Sequence, residues 1–194
     1  FFTDLGFELS SMAQQVYGGH GYIRDHGMEQ LVRDARICMI YEGANGIQAL
    51  DLVGRKLPAH AGRFLRGFFH PVQAFIEQNS ADPLILPLAK AFGALQQATA
   101  HIATVSLKDP EEAGAAATDY LRLMGLVALG YMWARAAQVA AEKLPNANGD
   151  AGFYKSKLTT ARFFMERILP QTSSLWASIR AGKSSMMELE EAAF

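Results

Sequence analysis

Eight residues, Tyr41 to Gln48 with the sequence YEGANGIQ, set one carboxylate, Glu42, among the small residues Gly43, Ala44 and Gly46. The apolar pattern MEQLVRDARICMI ends just before them and another apolar run begins after Asn45, so Glu42 falls in a connection between two helices. A carboxylate so placed is a candidate general base. Taking a proton from a carbon beside a carbonyl requires a base held close to that carbon, shielded from water, with the carbonyl polarised. Burial would raise the carboxyl pKa and make the base stronger once ionised. Gly43 has no side chain to obstruct a long substrate, and Tyr41 offers an aromatic wall beside it. The plainer reading is an acid near a helix start, favoured by the helix dipole. The eight residues alone do not separate the two.

A second cluster, Gln15 to Tyr22 (QVYGGHGY), has a different chemical character. Gly18 and Gly19 let backbone N–H groups approach a phosphate or ribose, and Gln15 can hydrogen-bond a nucleotide. It is not a P-loop, because the lysine-serine or lysine-threonine pair is missing, and no strand precedes the glycines to make a Rossmann turn. An ordinary helix–helix turn is the competing explanation. His20, His26, His60, His70 and His101 lack HExxH or ExxH spacing, so no metal site is expected. Cys38 reads as packed rather than nucleophilic. Lys155, Lys157, Arg162 and Arg167 can attract phosphates or form a solvated helix face.

The elements that must position these residues are helical. Phe2, Leu5, Leu9, Met12 and Val16 recur at spacings of three and four, predicting a helix from Phe2 to Tyr17. Glycines and Asp25-His26-Gly27 predict a loop over residues 18–27. A helix over 28–40 follows, then one from Asn45 to about Leu57, with Pro58 and Gly62 marking a boundary. Beyond it, helices are predicted over 62–78, carrying Pro71, and over 84–107. Asp109-Pro110-Glu111-Glu112 opens another, because proline and acids suit a first turn, and that helix runs to Leu144. A loop covers 145–152, and a last long helix over 153–182 is kinked by Pro170. No alternating strand pattern competes, so the class is all-α, with antiparallel helices packed in the second part. Gly125 and Gly130 are expected to let helices approach closely, and Tyr131, Met132 and Trp133 to serve core or interface.

Composition narrows the function classes. The chain has 194 residues, half of them hydrophobic and 19% charged, which excludes a disordered segment. Its net charge of -1, with basic residues scattered, argues against nucleic acid. The longest strongly apolar run, Leu123 to Ala134, has 12 residues and falls short of the roughly 20 that span a bilayer. One cysteine excludes an intramolecular disulfide and fits a reducing compartment, with the cytoplasm as the default. The chain opens on Phe1 within what reads as a helix and shows no signal-peptide pattern, so a piece of a longer protein is expected.

Taken together in order and separation, Gln15 to Tyr22, Arg33 to Arg36 (RDAR) and Tyr41 to Gly43 resemble the motifs of acyl-CoA dehydrogenases, flavoenzymes that oxidise acyl-CoA thioesters to 2-enoyl-CoAs. The resemblance implies that residues 1–57 end the catalytic helical domain of that family. It implies that Glu42 removes the α-proton while the β-hydrogen leaves as hydride to the N5 of FAD, the cofactor carrying the electron chemistry. Tyr41 and Gly43 would face the substrate, with the Glu42 backbone N–H helping to polarise the thioester carbonyl. Gln15, Gly18 and Gly19 match positions that hold the adenosine-diphosphate part of FAD, commonly one bound to a neighbouring subunit. Ala44 and Gly46 fall at cofactor positions but depart from the family pattern. Ala44 lacks the usual hydroxyl and Gly46 a polar side chain, with Asn45 the residue available to compensate.

Residues 58–194 resemble the extra C-terminal helical domain of the larger class in that family, through YLRLMGLVALGYMWARAAQVAAEKL and the stretch from Phe153 onward. The implied setting is fatty acid β-oxidation, with an acyl-CoA substrate, electron-transfer flavoprotein as acceptor and a homo-oligomer. The chain by itself is expected to be inactive. Alternatives are an assembly module, a piece of an acyl-CoA oxidase, or a dehydrogenase for a thioether substrate such as 3-methylmercaptopropionyl-CoA.

Overall fold

A computed structural model describes residues 1–147 and 149–193, and every regular element among them is helical. Two compact units emerge, Phe1–Asp51 and Leu52–Phe194.

The first unit is built on α1 (Phe2–Val16), which packs against α3 (Met28–Ile37). Between them the glycine-rich stretch predicted as loop is partly helical. Gly18 at φ +58 turns the chain, α2 (Gly19–Tyr22) makes one turn, and Arg24–His26 forms a 3-10 turn closed by Gly27 at φ +69. Gly21 is required here by contact. A Cβ on it would fall 2.6 Å from the Gln14 carbonyl oxygen and 2.7 Å from Tyr17 Cβ. The Gln14 side-chain amide donates to the Gly21 carbonyl at 3.1 Å, tying α1 to that turn. The helix predicted over 28–40 stops at Ile37, and Cys38 is exposed rather than packed, its thiol 3.7 Å from the Asp34 carbonyl. The unit closes with α4 (Asn45–Asp51). Only Gly21, Met28 and Ala49 are buried in it, and the apolar stripe of α1, including Phe2, Leu9, Met12 and Val16, is exposed in this chain.

The second unit is a helical bundle centred on one long helix. After a π-turn (Leu52–Lys56), α5 (Ala59–Gln78) kinks at His60, Ala61 and Gly62, all at positive φ, then runs through Pro71 without a break. α6 (Ile85–Val105) and α7 (Pro110–Lys143) follow. Along α7 the buried residues Ala116, Tyr120, Leu123, Val127, Gly130, Ala134 and Ala137 recur in alternating steps of four and three. That is the repeat of a helix packed along a narrow seam. Thr99 meets Tyr120 and Leu88 lies against Gly130, so as the chain rises in α6 its partner falls in α7: the two are antiparallel. Residues Pro110–Asn146 are long and apolar enough on average to cross a membrane, yet their seam supplies the bundle core.

A Cβ on Gly130 would lie 3.2 Å from Leu169 Cδ1 and 3.3 Å from Leu88 Cδ1, so both leucines sit closer here than they would beside any larger residue. Tyr131 stacks edge-on against Phe75 with centroids 5.2 Å apart, whereas Met132 is exposed. Asn79 at the end of α5 accepts a hydrogen bond from the Gln138 side chain, fastening α5 to α7.

The last predicted helix divides. α8 (Ala151–Phe163) widens into a π-turn (Phe164–Ile168) before Pro170, and α9 (Gln171–Ala181) begins beyond it. Proline has no N–H to continue the ladder, and the Leu169 N–H reaches back five residues to Phe164 at 2.9 Å. A short helix, α10 (Ser184–Met187), follows Gly182, whose φ is +73. Lys183 is held at the start of α7: its ammonium meets Asp109 at 2.5 Å and also Glu111, and its backbone N–H donates to Glu112 at 3.2 Å. Asp109 itself caps α7 by accepting from the Glu111 N–H at 3.0 Å.

Candidate functional site

Glu42 lies in the turn between α3 and α4, and the backbone bonds of that turn account for its conformation. The Met39 N–H donates to Arg36 at 3.2 Å, and the Ile40 and Tyr41 N–H groups both donate to Ile37, so the end of α3 unwinds gradually. Two consecutive residues, Glu42 at φ +51 and Gly43 at φ +88, then reverse the chain. The Asn45 N–H closes the turn on the Met39 carbonyl at 3.1 Å, and the Ala44 carbonyl accepts from Ile47 at 2.8 Å and Gln48 at 3.1 Å as α4 begins. A left-handed conformation is free for glycine but costs about 1–2 kcal/mol for a residue such as glutamate. It persists where surrounding bonds determine it.

Side chains hold the same turn from both sides. The Gln48 amide donates to the Gly43 carbonyl at 3.3 Å. Asn45 donates through Nδ2 to the Asp4 carboxylate at 2.7 Å and accepts from the Thr3 hydroxyl at 2.9 Å, which joins the start of α4 to the start of α1. Sequence reasoning missed Thr3, Asp4 and Gln48. It offered Asn45 as a substitute cofactor contact, whereas both ends of its amide already serve α1. Nothing local could have disclosed that link, because the partners are 41 and 42 residues apart. Tyr41, Glu42 and Gly43 are exposed in this chain, so the burial that would strengthen Glu42 as a base is not supplied within it.

Gln15, Gly18 and Gly19 lie elsewhere in the unit. The Glu42 turn is fastened to Thr3 and Asp4 at one end of α1, while Gln15 is 11 residues along it, about 16 Å at 1.5 Å per residue. The chain therefore keeps the candidate base and the candidate nucleotide residues at opposite ends of one helix. Gln15 is exposed, and the space a Cβ would take at Gly18 or Gly19 holds no protein atom within 4 Å. The Gly18 N–H already donates to the Gln15 carbonyl at 3.0 Å, and the Gly18 carbonyl accepts from the Gly21 N–H at 3.0 Å, so the backbone of Gly18 serves the turn itself. Gly46 is equally open, and Ala44 is half-buried and presents only a methyl group. His20 and His26 meet edge-on at 5.3 Å, and the described residues contain no group of three or more metal-ligating side chains.

Comparison with known proteins agrees with these motifs. Residues 1–57 match the family profile described as acyl-CoA dehydrogenase, C-terminal domain, and residues 68–190 match the one described as acetyl-CoA dehydrogenase C-terminal like. The chain is 35% identical over 179 residues to the 3-methylmercaptopropionyl-CoA dehydrogenase of Ruegeria pomeroyi, covering 90% of this chain and 30% of that protein. It is 31% identical over 192 residues to the broad-specificity linear acyl-CoA dehydrogenase FadE5 of Mycobacterium tuberculosis, covering 93% and 31%. A butyryl-CoA dehydrogenase of Syntrophomonas wolfei is 26% identical over 201 residues, covering all of this chain and 33% of its own length. The chain thus spans about a third of the length of the curated relatives it matches. With two family profiles that lie end to end along an all-helical chain, it belongs to the acyl-CoA dehydrogenase family.

Proposed function

We propose that the protein containing this chain oxidises an acyl-CoA thioester to the 2-enoyl-CoA, with Glu42 as the base that removes the α-proton. The observation that carries this reading is the Glu42-Gly43 turn, a carboxylate held in a left-handed conformation beside a glycine in a chain of this family. Glu42 takes the proton at its carboxylate, and its backbone N–H polarises the thioester carbonyl so that negative charge can be accommodated. Gly43 admits the acyl chain beside that carbonyl, and Tyr41 walls it. The hydride leaving the β-carbon would need an acceptor, which is the chemistry FAD would supply when bound. Gln15, Gly18 and Gly19 would hold its adenosine-diphosphate end, and Ala44 and Gly46 would offer it only backbone groups, without the usual hydroxyl or polar side chain.

Because Glu42 is exposed here, the exclusion of water comes from parts of the protein outside this chain, and the chain alone does not catalyse. Electron-transfer flavoprotein is the acceptor, the protein is a homo-oligomer, and the setting is cytoplasmic β-oxidation. The name of the Ruegeria relative makes 3-methylmercaptopropionyl-CoA one substrate to compare with linear acyl-CoAs. In the full-length protein, Glu42→Gln should slow substrate-dependent bleaching of the flavin by about 10²–10⁴-fold, the usual contribution of a general base. A variant that bleaches at the parent rate would defeat the assignment. Purified by itself, the chain should neither retain yellow flavin nor bleach with substrate. Oxygen consumption by the reduced full-length protein would mark an oxidase instead.

A second reading has its own support. None of the candidate catalytic or cofactor residues lies in Leu52–Phe194, a helical bundle with its own core, so that unit serves assembly of the protein. Truncation before residue 58 should then change the size of the full-length protein in solution.

A further inference from the structure

We infer that Asn45 is a positioning residue for the reaction, acting on Glu42 through the turn between α3 and α4; the inference rests on the reading of Glu42 as the base. Three bonds meet at this one residue. Its backbone N–H closes the turn on the Met39 carbonyl at 3.1 Å, its Nδ2 donates to Asp4 at 2.7 Å, and its Oδ1 accepts from Thr3 at 2.9 Å. The backbone bond encloses Met39 to Asn45, the segment in which Glu42 and Gly43 take positive φ. The side-chain bonds anchor the closing end of that segment to α1. The near side of the turn is fixed by α3, which packs against α1, and Asn45 ties its far side to the same helix.

Glutamate adopts a left-handed backbone only where its surroundings determine it. Cutting the anchor at Asn45 lets the turn drift or relax toward negative φ, and in either case the Glu42 carboxylate moves. Displacement matters more for this group than for the fold. An error of about 1 Å in a reacting group costs on the order of 10²-fold in rate, whereas the bonds lost are between partly buried side chains near the surface. The chemistry also makes the pair reversible. An amide at 45 and a carboxylate at 4 present one donor and one acceptor, and exchanging the two groups preserves that complementarity. The Thr3 hydroxyl can donate to either an amide oxygen or a carboxylate.

The experiment uses the full-length flavin-loaded protein. Two rates are followed, turnover with an acyl-CoA and exchange of the substrate α-hydrogen with deuterated water under anaerobic conditions, together with KM, flavin content and thermal midpoint. Asn45→Ala should lower both turnover and exchange by about 10–100-fold, with KM within about three-fold and flavin content unchanged. Asn45→Asp should do the same, because two carboxylates then face each other. Combining Asn45→Asp with Asp4→Asn should restore both rates to within about three-fold of the parent, as expected for directly coupled partners. Parent-like exchange in Asn45→Ala would overturn the inference, as would a loss that tracks flavin content or thermal midpoint, or a double variant no better than the single one. Glu42→Gln is the control. If it still exchanges the α-hydrogen at the parent rate, the assignment of the base fails, independently of Asn45.

Discussion

The side-chain amide of Gln48 sits 3.3 Å from the carbonyl oxygen of Gly43, and a Cβ on Gly43 would lie 2.7 Å from that amide nitrogen. One residue thus both secures the turn and occupies the space any side chain at 43 would need. Gly43→Ala should destabilise the protein by about 1–2 kcal/mol, through a strained positive φ together with displacement of the Gln48 amide. In a Gln48→Ala background the steric share disappears and the strain remains, so the penalty for Gly43→Ala should shrink without vanishing. Urea unfolding of the four proteins of this cycle measures the difference.

Gly130 makes the corresponding argument in the bundle core. Leu88 and Leu169 already lie 3.2–3.3 Å from where its Cβ would be. Gly130→Ala gains about 1 kcal/mol of helix propensity and spends much of it on moving two leucines by a few tenths of an ångström. It should fall within about 1 kcal/mol of the parent. Gly130→Leu has no such room and should cost about 1–3 kcal/mol. Urea midpoints at constant slope decide between these outcomes.

Lys183 predicts how stability responds to acid. Its ammonium, followed by the Glu111 backbone N–H, holds the Asp109 carboxyl below its ordinary value of 3.8, and the two carboxylates raise Lys183 above its ordinary 10.5. A depressed carboxyl contributes stability above its unfolded pKa and loses it as pH falls through the folded one. The raised lysine contributes below 10.5 and loses its contribution as pH rises through its folded value. Lys183→Met should therefore be less stable than the parent near neutral pH, with the gap closing below pH 3.8 as Asp109 protonates. Thermal midpoints measured from pH 7 downward test this, and a gap that stays constant would contradict it.

Tyr120 governs the alkaline side. It is fully buried, its hydroxyl lies 2.7 Å from the Thr99 hydroxyl, and burial pushes its pKa up to about 12 against a partial lowering by that hydrogen bond. Above pH 10 the unfolded chain ionises this tyrosine while the folded chain does not, so its contribution to stability declines between pH 10 and about 12. Tyr120→Phe should cost about 0.5–1.5 kcal/mol at neutral pH from the lost hydrogen bond. It should also flatten the alkaline decline in stability. Ultraviolet titration of the folded parent should show one tyrosine ionising late, and that step should be missing in the variant.

Local chemistry announced much of this chain. Asp109-Pro110-Glu111-Glu112 marked the start of α7, Pro170 marked a break, Gly130 marked a close approach, and Glu42 fell in an interhelical turn, because capping, proline geometry and apolar periodicity act over a few residues. The same reasoning called residues 18–27 a plain loop, although Gly18 and Gly27 bracket a helical and a 3-10 turn. It also placed Cys38 in a packed helix that ends one residue earlier. Helix ends are settled by a few bonds of nearly equal worth, and sequence pattern weighs them poorly.

What the sequence by itself determined is the all-helical class, the start of α7, and the family motifs around Glu42. Tertiary structure alone decided that Asn45 is bound to Thr3 and Asp4, that Lys183 returns to the start of α7, and that Gln15 lies a helix length from the Glu42 turn. Those contacts join residues dozens of positions apart, where no periodicity of the chain reaches. They form because packing places complementary donors and acceptors within about 3 Å, where direct hydrogen bonds replace those to water.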